Sequence, residues 1–286
     1  MGAAGSADLT NELKTAASHF RGQTIRIALI GKTGTGKSST ANTILGNDAC
    51  PVKDGMSSGN SQEIHLHKTL KHGVNFKVVD TPGLCDTHLP QDEVVIHICR
   101  SVTAIAPGPH AILLCVRCDQ RFTDTEWDVY TKLKEIFTVA SVRHLILVFV
   151  GTDGLTTREP DLIQAAKHTR LGGVLSDIGS NNDRIVVISN KGTREERKQE
   201  ADKLLLAILK LVAENGPEPH NYLTTEITIA VQTRLEERAA SAGVSTDEII
   251  TDVITNDTPV NRNLLRQVAR RFRNLFEDVR GMCDIL

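Results

Sequence analysis

The chain carries very little aromatic surface: aromatic residues make up 3% of its 286 residues, as 7 Phe, 2 Tyr and 1 Trp. That excludes the stacking platforms with which proteins grip single-stranded nucleic acid. An excess of either charge is also missing, since 33 Lys and Arg stand against 35 Asp and Glu for a formal net of -2. No global field exists to hold a polyanion, and a nucleic-acid partner is not expected. No apolar run exceeds six residues, a length reached by AILLCV at 111–116 and LILVFV at 145–150. A membrane-spanning helix needs roughly 20. The start MGAAGSADLT has neither the charged region nor the apolar stretch of an export signal, so the cytoplasm is the expected location. Six cysteines, at 50, 85, 99, 115, 118 and 283, are irregularly spaced and read as free thiols, not as a disulfide framework. Cys115 and Cys118 form one isolated CxxC with no second pair; Cys115 reads better as core strand than as a zinc ligand.

What is present is an alternation of strand and helix patterns. IRIALI (25–30) ends in Gly31, and a helical stretch follows over 37–46. EIHLHKTL (63–70) alternates, KHG turns the chain, and VNFKVV (74–79) returns toward Asp80, which predicts an antiparallel hairpin. Further along come a helix near 91–105, the strand at 111–116, a helix opened by the capping box Thr123–Glu126, the strand at 145–150, a helix near 160–170, the strand 184–189 and a helix over about 195–214. Such an order predicts an α/β fold, a mostly parallel sheet with helices on both faces and a ligand crevice at its carboxyl edge. After NGPEP (215–219) only helical patterns remain. The expected organisation is therefore a flexible segment over 1–22, an α/β domain over 23–215 and a helical extension over 216–286.

The strongest chemical signal is GKTGTGKS, Gly31 to Ser38, which fits GxxxxGK[ST] between a strand and a helix. Its binding set is Gly31, Lys32, Thr33, Gly34, Thr35, Gly36, Lys37, Ser38 and Ser39. The glycines allow backbone amides to ring a β-phosphate at a helix N-terminus. Lys37 reaches the β- and γ-phosphates, and Ser38 ligates Mg²⁺. DTPG, Asp80 to Gly83, follows the next strand; Asp80 holds the Mg²⁺ side, and the Gly83 amide senses a γ-phosphate.

With GKTGTGKSSTANTILG (31–46), VVDTPGLCDT (78–87), APGPHAILLCV (106–116), RFTDTE (121–126) and ISNK (188–191), the chain resembles the GIMAP GTPases, immunity-associated nucleotide-binding proteins related to chloroplast-envelope import GTPases and septins. PGPHA is the most specific of these segments. The resemblance covers about 24–215 and implies a Ras-like P-loop GTPase that binds GTP or GDP with Mg²⁺. It implies that Asp153 reads guanine and that Asn190 contacts the base; an ordinary loop turn is the other reading of each. Val150, Gly151 and Thr152 stand where the family more often has Thr, a basic residue and Lys or Gly before that Asp, which loosens the expected selectivity. Family members pair across their nucleotide faces. In that geometry Arg121 is a candidate to reach a partner's phosphates, a solvated surface arginine being the alternative. His110 of PGPHA reads as a structural histidine.

Two departures point to slow intrinsic hydrolysis. Between Asn47 and Ile64 there is no Thr to close on Mg²⁺, the best-aligned residue being Gln62, and Leu84 stands where many GTPases carry a water-orienting Gln. A slow, assembly-controlled GTP switch and a nucleotide-stabilised scaffold without useful turnover both fit. Residues 261–286 carry an apolar stripe at helical spacing beside six arginines, readable as a docked helix or as a peripheral membrane or partner helix. Cys283-Asp284-Ile285-Leu286 has the form that takes a geranylgeranyl group on Cys283, and the start fits the weaker myristoylation pattern; a lipid there would add to the arginines in holding a membrane.

Overall fold

The computed structural model describes residues 3–50, 64–81, 91–120, 122–152, 159–179, 182–217 and 221–271. Strands β1 (Thr24–Ile30), β2 (His65–Lys71), β3 (Val74–Asp80), β4 (Ala111–Arg117), β5 (Leu145–Val150) and β6 (Ile185–Ile188) form one sheet in the order β2-β3-β1-β4-β5-β6. Every neighbouring pair is parallel except β2 with β3. β4 and β5 lie inside the sheet with both faces covered, which is why each reads as an unbroken apolar run. The β2–β3 turn, His72-Gly73, has φ of 51° and 79°, the left-handed geometry that matches strand twist in a two-residue hairpin. Lys71 therefore faces Val74, and counting back sets His65 opposite Asp80.

One face of the sheet, with Ile27, Leu29, Val78 and Val148, packs on α1 (Ala3–Ser18), α2 (Lys37–Leu45) and α7 (Arg194–Glu214). The opposite face, with Ala28, Val79, Leu114 and Leu147, packs on α3 (Gln91–Ala104), α4 (Asp124–Phe137), α6 (Leu171–Ile178), α8 (Glu226–Ala242), α9 (Thr246–Thr255) and α10 (Pro259–Arg271), while α5 (Glu159–Lys167) precedes α6. α4 starts as its sequence predicts, with the Thr123 N–H donating to the Glu126 carboxylate at 2.8 Å.

Two segments differ from expectation. The N-terminal stretch expected as flexible folds as α1, because Leu13, Ala17 and Phe20 are buried against the α2–α7 face. Lys210 on α7 pairs with Glu12 at 2.9 Å. The C-terminal helices share the main core: Ile227, Val231, Ile250, Val253, Leu264, Leu265 and Val268 belong to the same buried cluster as α3. Over 259–271 the apolar stripe is thus docked inward and closed to a membrane, with Arg266, Arg270 and Arg271 left on the outer side. Cys283 and the rest of that stripe lie outside the described residues. No helix among the described residues is long and apolar enough to cross a membrane.

His110 has the structural place expected of it. It is fully buried; its ring Nδ1 accepts from the Arg26 backbone N–H at 3.0 Å, and its backbone N–H donates to the Arg26 carbonyl at 2.8 Å. Burial, with the Arg26 charge beside it, pushes its pKa down to about 2, and burial lowers His144 as well. The His110 ring stays neutral in the fold, while in the unfolded chain it takes up a proton below about pH 6.5. The stability that His110 contributes is therefore complete above that pH and falls as pH drops, by about 1.4 kcal/mol per pH unit for this one group. Urea unfolding at pH 7, 6 and 5 checks this: His110→Asn lowers stability at pH 7 but has the shallower slope.

Candidate functional site

The carboxyl ends of β1, β3, β5 and β6 converge on one edge of the sheet, and the loop Gly31 to Gly36 leaves from the central strand there. Its glycines are required. Gly31 (φ 148°) has no room for a Cβ, which would stand 2.6 Å from the Cys115 carbonyl oxygen, and at Gly36 (φ 89°) a Cβ would meet Val150 Cγ1 at 2.8 Å. Gly36 then opens α2, whose N-terminal amides face the loop. Lys37, buried at the start of α2, arches back so that its Nζ donates to the carbonyls of Gly31 at 3.0 Å and Lys32 at 3.1 Å. Thr35 closes the loop by donating from Oγ1 to the Lys32 carbonyl at 2.8 Å.

β3 delivers Asp80 to the same edge. Ser38 Oγ donates to Asp80 Oδ2 at 2.5 Å, while Oδ1 is buried with no hydrogen-bond partner. Burial raises the Asp80 pKa, opposed by the Ser38 hydrogen bond and the Lys37 charge. A buried carboxylate with one oxygen unpaired, beside a serine hydroxyl and below a loop that has no room for a Cβ at Gly31 and Gly36, fits a divalent cation and a phosphate chain; the cation's charge would stabilise the ionised form that burial disfavours. The sequence-predicted Gly31–Ser39 and Asp80 are thus brought together. Gly83, Asp153 and Arg121 lie outside the described residues.

The side chain of Asn190 meets α2. At φ 64° its amide turns to α2, Nδ2 donating to Thr40 Oγ1 at 2.9 Å and Oδ1 accepting from Thr43 Oγ1 at 2.7 Å. The N–H groups of Ser189 and Asn190 donate to the Glu200 carboxylate at 2.7 and 3.0 Å. Asn190 therefore clamps β6 to the helix that opens the phosphate loop. Thr40, Thr43 and Glu200 were not singled out by sequence; the i, i+3 threonines on α2 were the available signal. His65 and His67 also flank Asp80 on β2, and His67 Nε2 is buried without a partner. The Cys118 thiol donates to the Val150 carbonyl at 3.2 Å, and no metal-binding cluster of His, Cys, Asp and Glu occurs among the described residues.

Fold and site together define an α/β P-loop domain of the Ras-like kind. The chain belongs to the AIG1 family, whose model matches residues 25–239. Immune-associated nucleotide-binding protein 10 of Arabidopsis thaliana is 33% identical over 201 residues, 68% of this chain and 42% of the relative. Protein 9 of the same group and plant is 29% identical over 228 residues, 78% of this chain and 66% of the relative. The chain thus spans between about two fifths and two thirds of the length of these relatives. Toc33 of Arabidopsis thaliana, solved in complex with Mg²⁺ and GMPPNP, shares the fold with a TM-score of 0.57 at 15% identity, over 77% of this chain and 96% of that one. Dimerisation is important for the GTPase activity of the chloroplast translocon components atToc33 and psToc159, whose solved structure gives a TM-score of 0.56 at 17% identity over 78% of this chain and 94% of that one.

Proposed function

We propose that this chain binds GTP and GDP with Mg²⁺ and acts as a slow GTP-hydrolysing switch controlled by pairing of two copies. The observation that carries the nucleotide part is the Ser38–Asp80 contact at 2.5 Å below the glycine loop, with the second Asp80 oxygen buried and unpaired. Lys37 and the loop amides would hold the β- and γ-phosphates, and Ser38 and Asp80 the Mg²⁺, which offsets phosphate charge. Asp153 would accept from the guanine N1 and N2 hydrogens, a pair adenine does not offer. The absence of Thr from residues 48–63 and Leu84 in place of Gln support slow turnover in a single copy. The dimer-dependent activity of the translocon components of like fold supports pairing. A nucleotide-stabilised scaffold without useful turnover is the second reading, favoured by the same two missing groups.

Competition binding tests the base assignment. GTP and GDP are expected to displace a labelled guanine nucleotide where ATP does not. Asp153→Asn, whose amide donates where the carboxylate accepts, should shift preference toward a xanthine nucleotide. Equal affinity for GTP and ATP would remove the guanine reading and leave the phosphate site standing.

A further inference from the structure

At the amino-terminal end of the sheet, strand register creates an unusual row. Arg26 of β1 lies beside Lys77 of β3, and Lys77 lies directly opposite Lys68 of β2. Adjacent strands run about 4.8 Å apart, and like charges set directly across a sheet destabilise it. Lys77 and Arg26 are nevertheless buried, at 3% and 9% exposure. The two lysines share one carboxylate, Asp247 of α9, at 2.6 Å from Lys68 and 3.5 Å from Lys77. One ammonium charge is left over, with a third cation abreast. Arg26 donates from Nε to the Gly108 carbonyl at 2.6 Å and stacks 4.7 Å from the centre of the Tyr222 ring. Burial lowers the Lys77 pKa, and the charges of Lys68 and Arg26 push it the same way while Asp247 opposes them.

These three cations line a cavity of about 540 Å³, together with Thr24, Asn75 and Asp247. That is the size range of a small-molecule site. The cavity is separate from the phosphate loop. Lys77 and Asp80 are three residues apart on β3 and so point to opposite faces, about 10 Å apart along the strand. A repulsive row kept beneath a cavity is what an anion would relieve, since Lys68 and Lys77 share the single Asp247 carboxylate and an anion supplies the second negative charge. The hydroxyl of Thr24 and the amide of Asn75 add neutral donors. We propose that this cavity is a second anion site, built for a phosphate-monoester ligand bearing at least two negative charges, and independent of the nucleotide.

Calorimetric titration of soluble inositol trisphosphate into the full chain loaded with GDP and Mg²⁺ tests it, with Lys37→Ala as a second background in which the phosphate loop is disabled. Saturable binding is expected in both. Lys77→Met, which removes the buried charge at similar volume, and the exposed Lys68→Gln should each weaken it roughly tenfold or more. Asp247→Asn should tighten it, because that carboxylate competes with the ligand for both lysines; a merely structural ion pair predicts no such gain. Vesicles of phosphatidylcholine with and without phosphatidylinositol bisphosphate separate the sources: co-sedimentation that Lys77→Met abolishes assigns a lipid headgroup, and soluble binding without it assigns a free phosphate ester. The proposal fails if neither probe binds the wild-type chain, if binding is unchanged in Lys77→Met and Lys68→Gln, or if Lys37→Ala removes it. The last outcome would place the ligand in the phosphate loop, leaving the nucleotide reading intact.

Discussion

Lys37→Ala is expected to cost the chain about 10²- to 10³-fold in affinity for GTP and GDP alike, with little change in its thermal unfolding. The Lys37 ammonium already stands over the loop, held by the Gly31 and Lys32 carbonyls at 3.0 and 3.1 Å, where a phosphate chain would exchange both of these contacts with neutral acceptors for contacts with charged ones. Hydrogen bonds to charged groups are worth about 1.5–3 kcal/mol each, so losing two gives about 3–4 kcal/mol after the carbonyl contacts are discounted. The loop itself should persist, because the glycine geometry and the Thr35 hydrogen bond hold it without the lysine. Asp80→Asn makes the complementary change: the amide oxygen still accepts from Ser38, but the negative charge is gone. GDP binding should then survive while its enhancement by Mg²⁺ disappears. Fluorescent-nucleotide titration with and without Mg²⁺ reads both variants, and a Lys37→Ala chain that binds GTP as the wild type does would overturn the phosphate assignment.

Much of the architecture was legible because local and global signals agree. The two-residue turn at His72-Gly73 fixes the hairpin register, and the unbroken runs of β4 and β5 state that both their faces are covered. The phosphate loop was legible because its glycines, lysine and serine keep a fixed spacing between a strand and a helix. Elsewhere, meaning came only with packing. Residues 3–20 look polar and small, and Leu13, Ala17 and Phe20, with Leu9 and Ala16 partly buried beside them, dock them on a long helix they meet far along the chain. Gly172 and Gly173 look like a helix stop after 170, yet they sit in α6. A Cβ at Gly172 would press on the Lys167 carbonyl oxygen at 2.4 Å, and one at Gly173 on Trp127 Cη2 at 2.9 Å. Close approach, not flexibility, requires those glycines. Asn190 was legible as a strand-end residue but not as a clamp, because Thr40 and Thr43 reach it from 150 and 147 residues away. The Arg26–Lys77–Lys68 row likewise exists only once three strands are laid in register.

Turnover of GTP per molecule is expected to rise with protein concentration and to level off once pairing is complete. A single copy has Leu84 where a water-orienting glutamine would stand and no Thr between Asn47 and Ile64 to close over Mg²⁺ and the γ-phosphate, so on the proposed reading it would hold the nucleotide without the groups that close over the γ-phosphate and aim the water. An arginine supplied by a second copy compensates for this kind of deficit, and where such an arginine operates it is worth about 10³ to 10⁵ in rate. In sequence Arg121 stands four residues past Arg117, the last residue of β4, and two before Thr123, the cap of α4, and the proposed pairing assigns it the task of reaching the partner's phosphates. In Arg121→Ala the concentration-dependent part of the rate should fall by about 10³ or more, with nucleotide affinity unchanged. Adding an excess of intact chain loaded with a nonhydrolysable GTP analogue should then restore hydrolysis of the GTP held by the variant, because the arginine acts across the pair. A rate per molecule that stays constant on dilution would rule out assistance from a partner and leave the scaffold reading. A concentration-dependent rate that survives Arg121→Ala would keep the pairing and transfer the role to another group on the shared face.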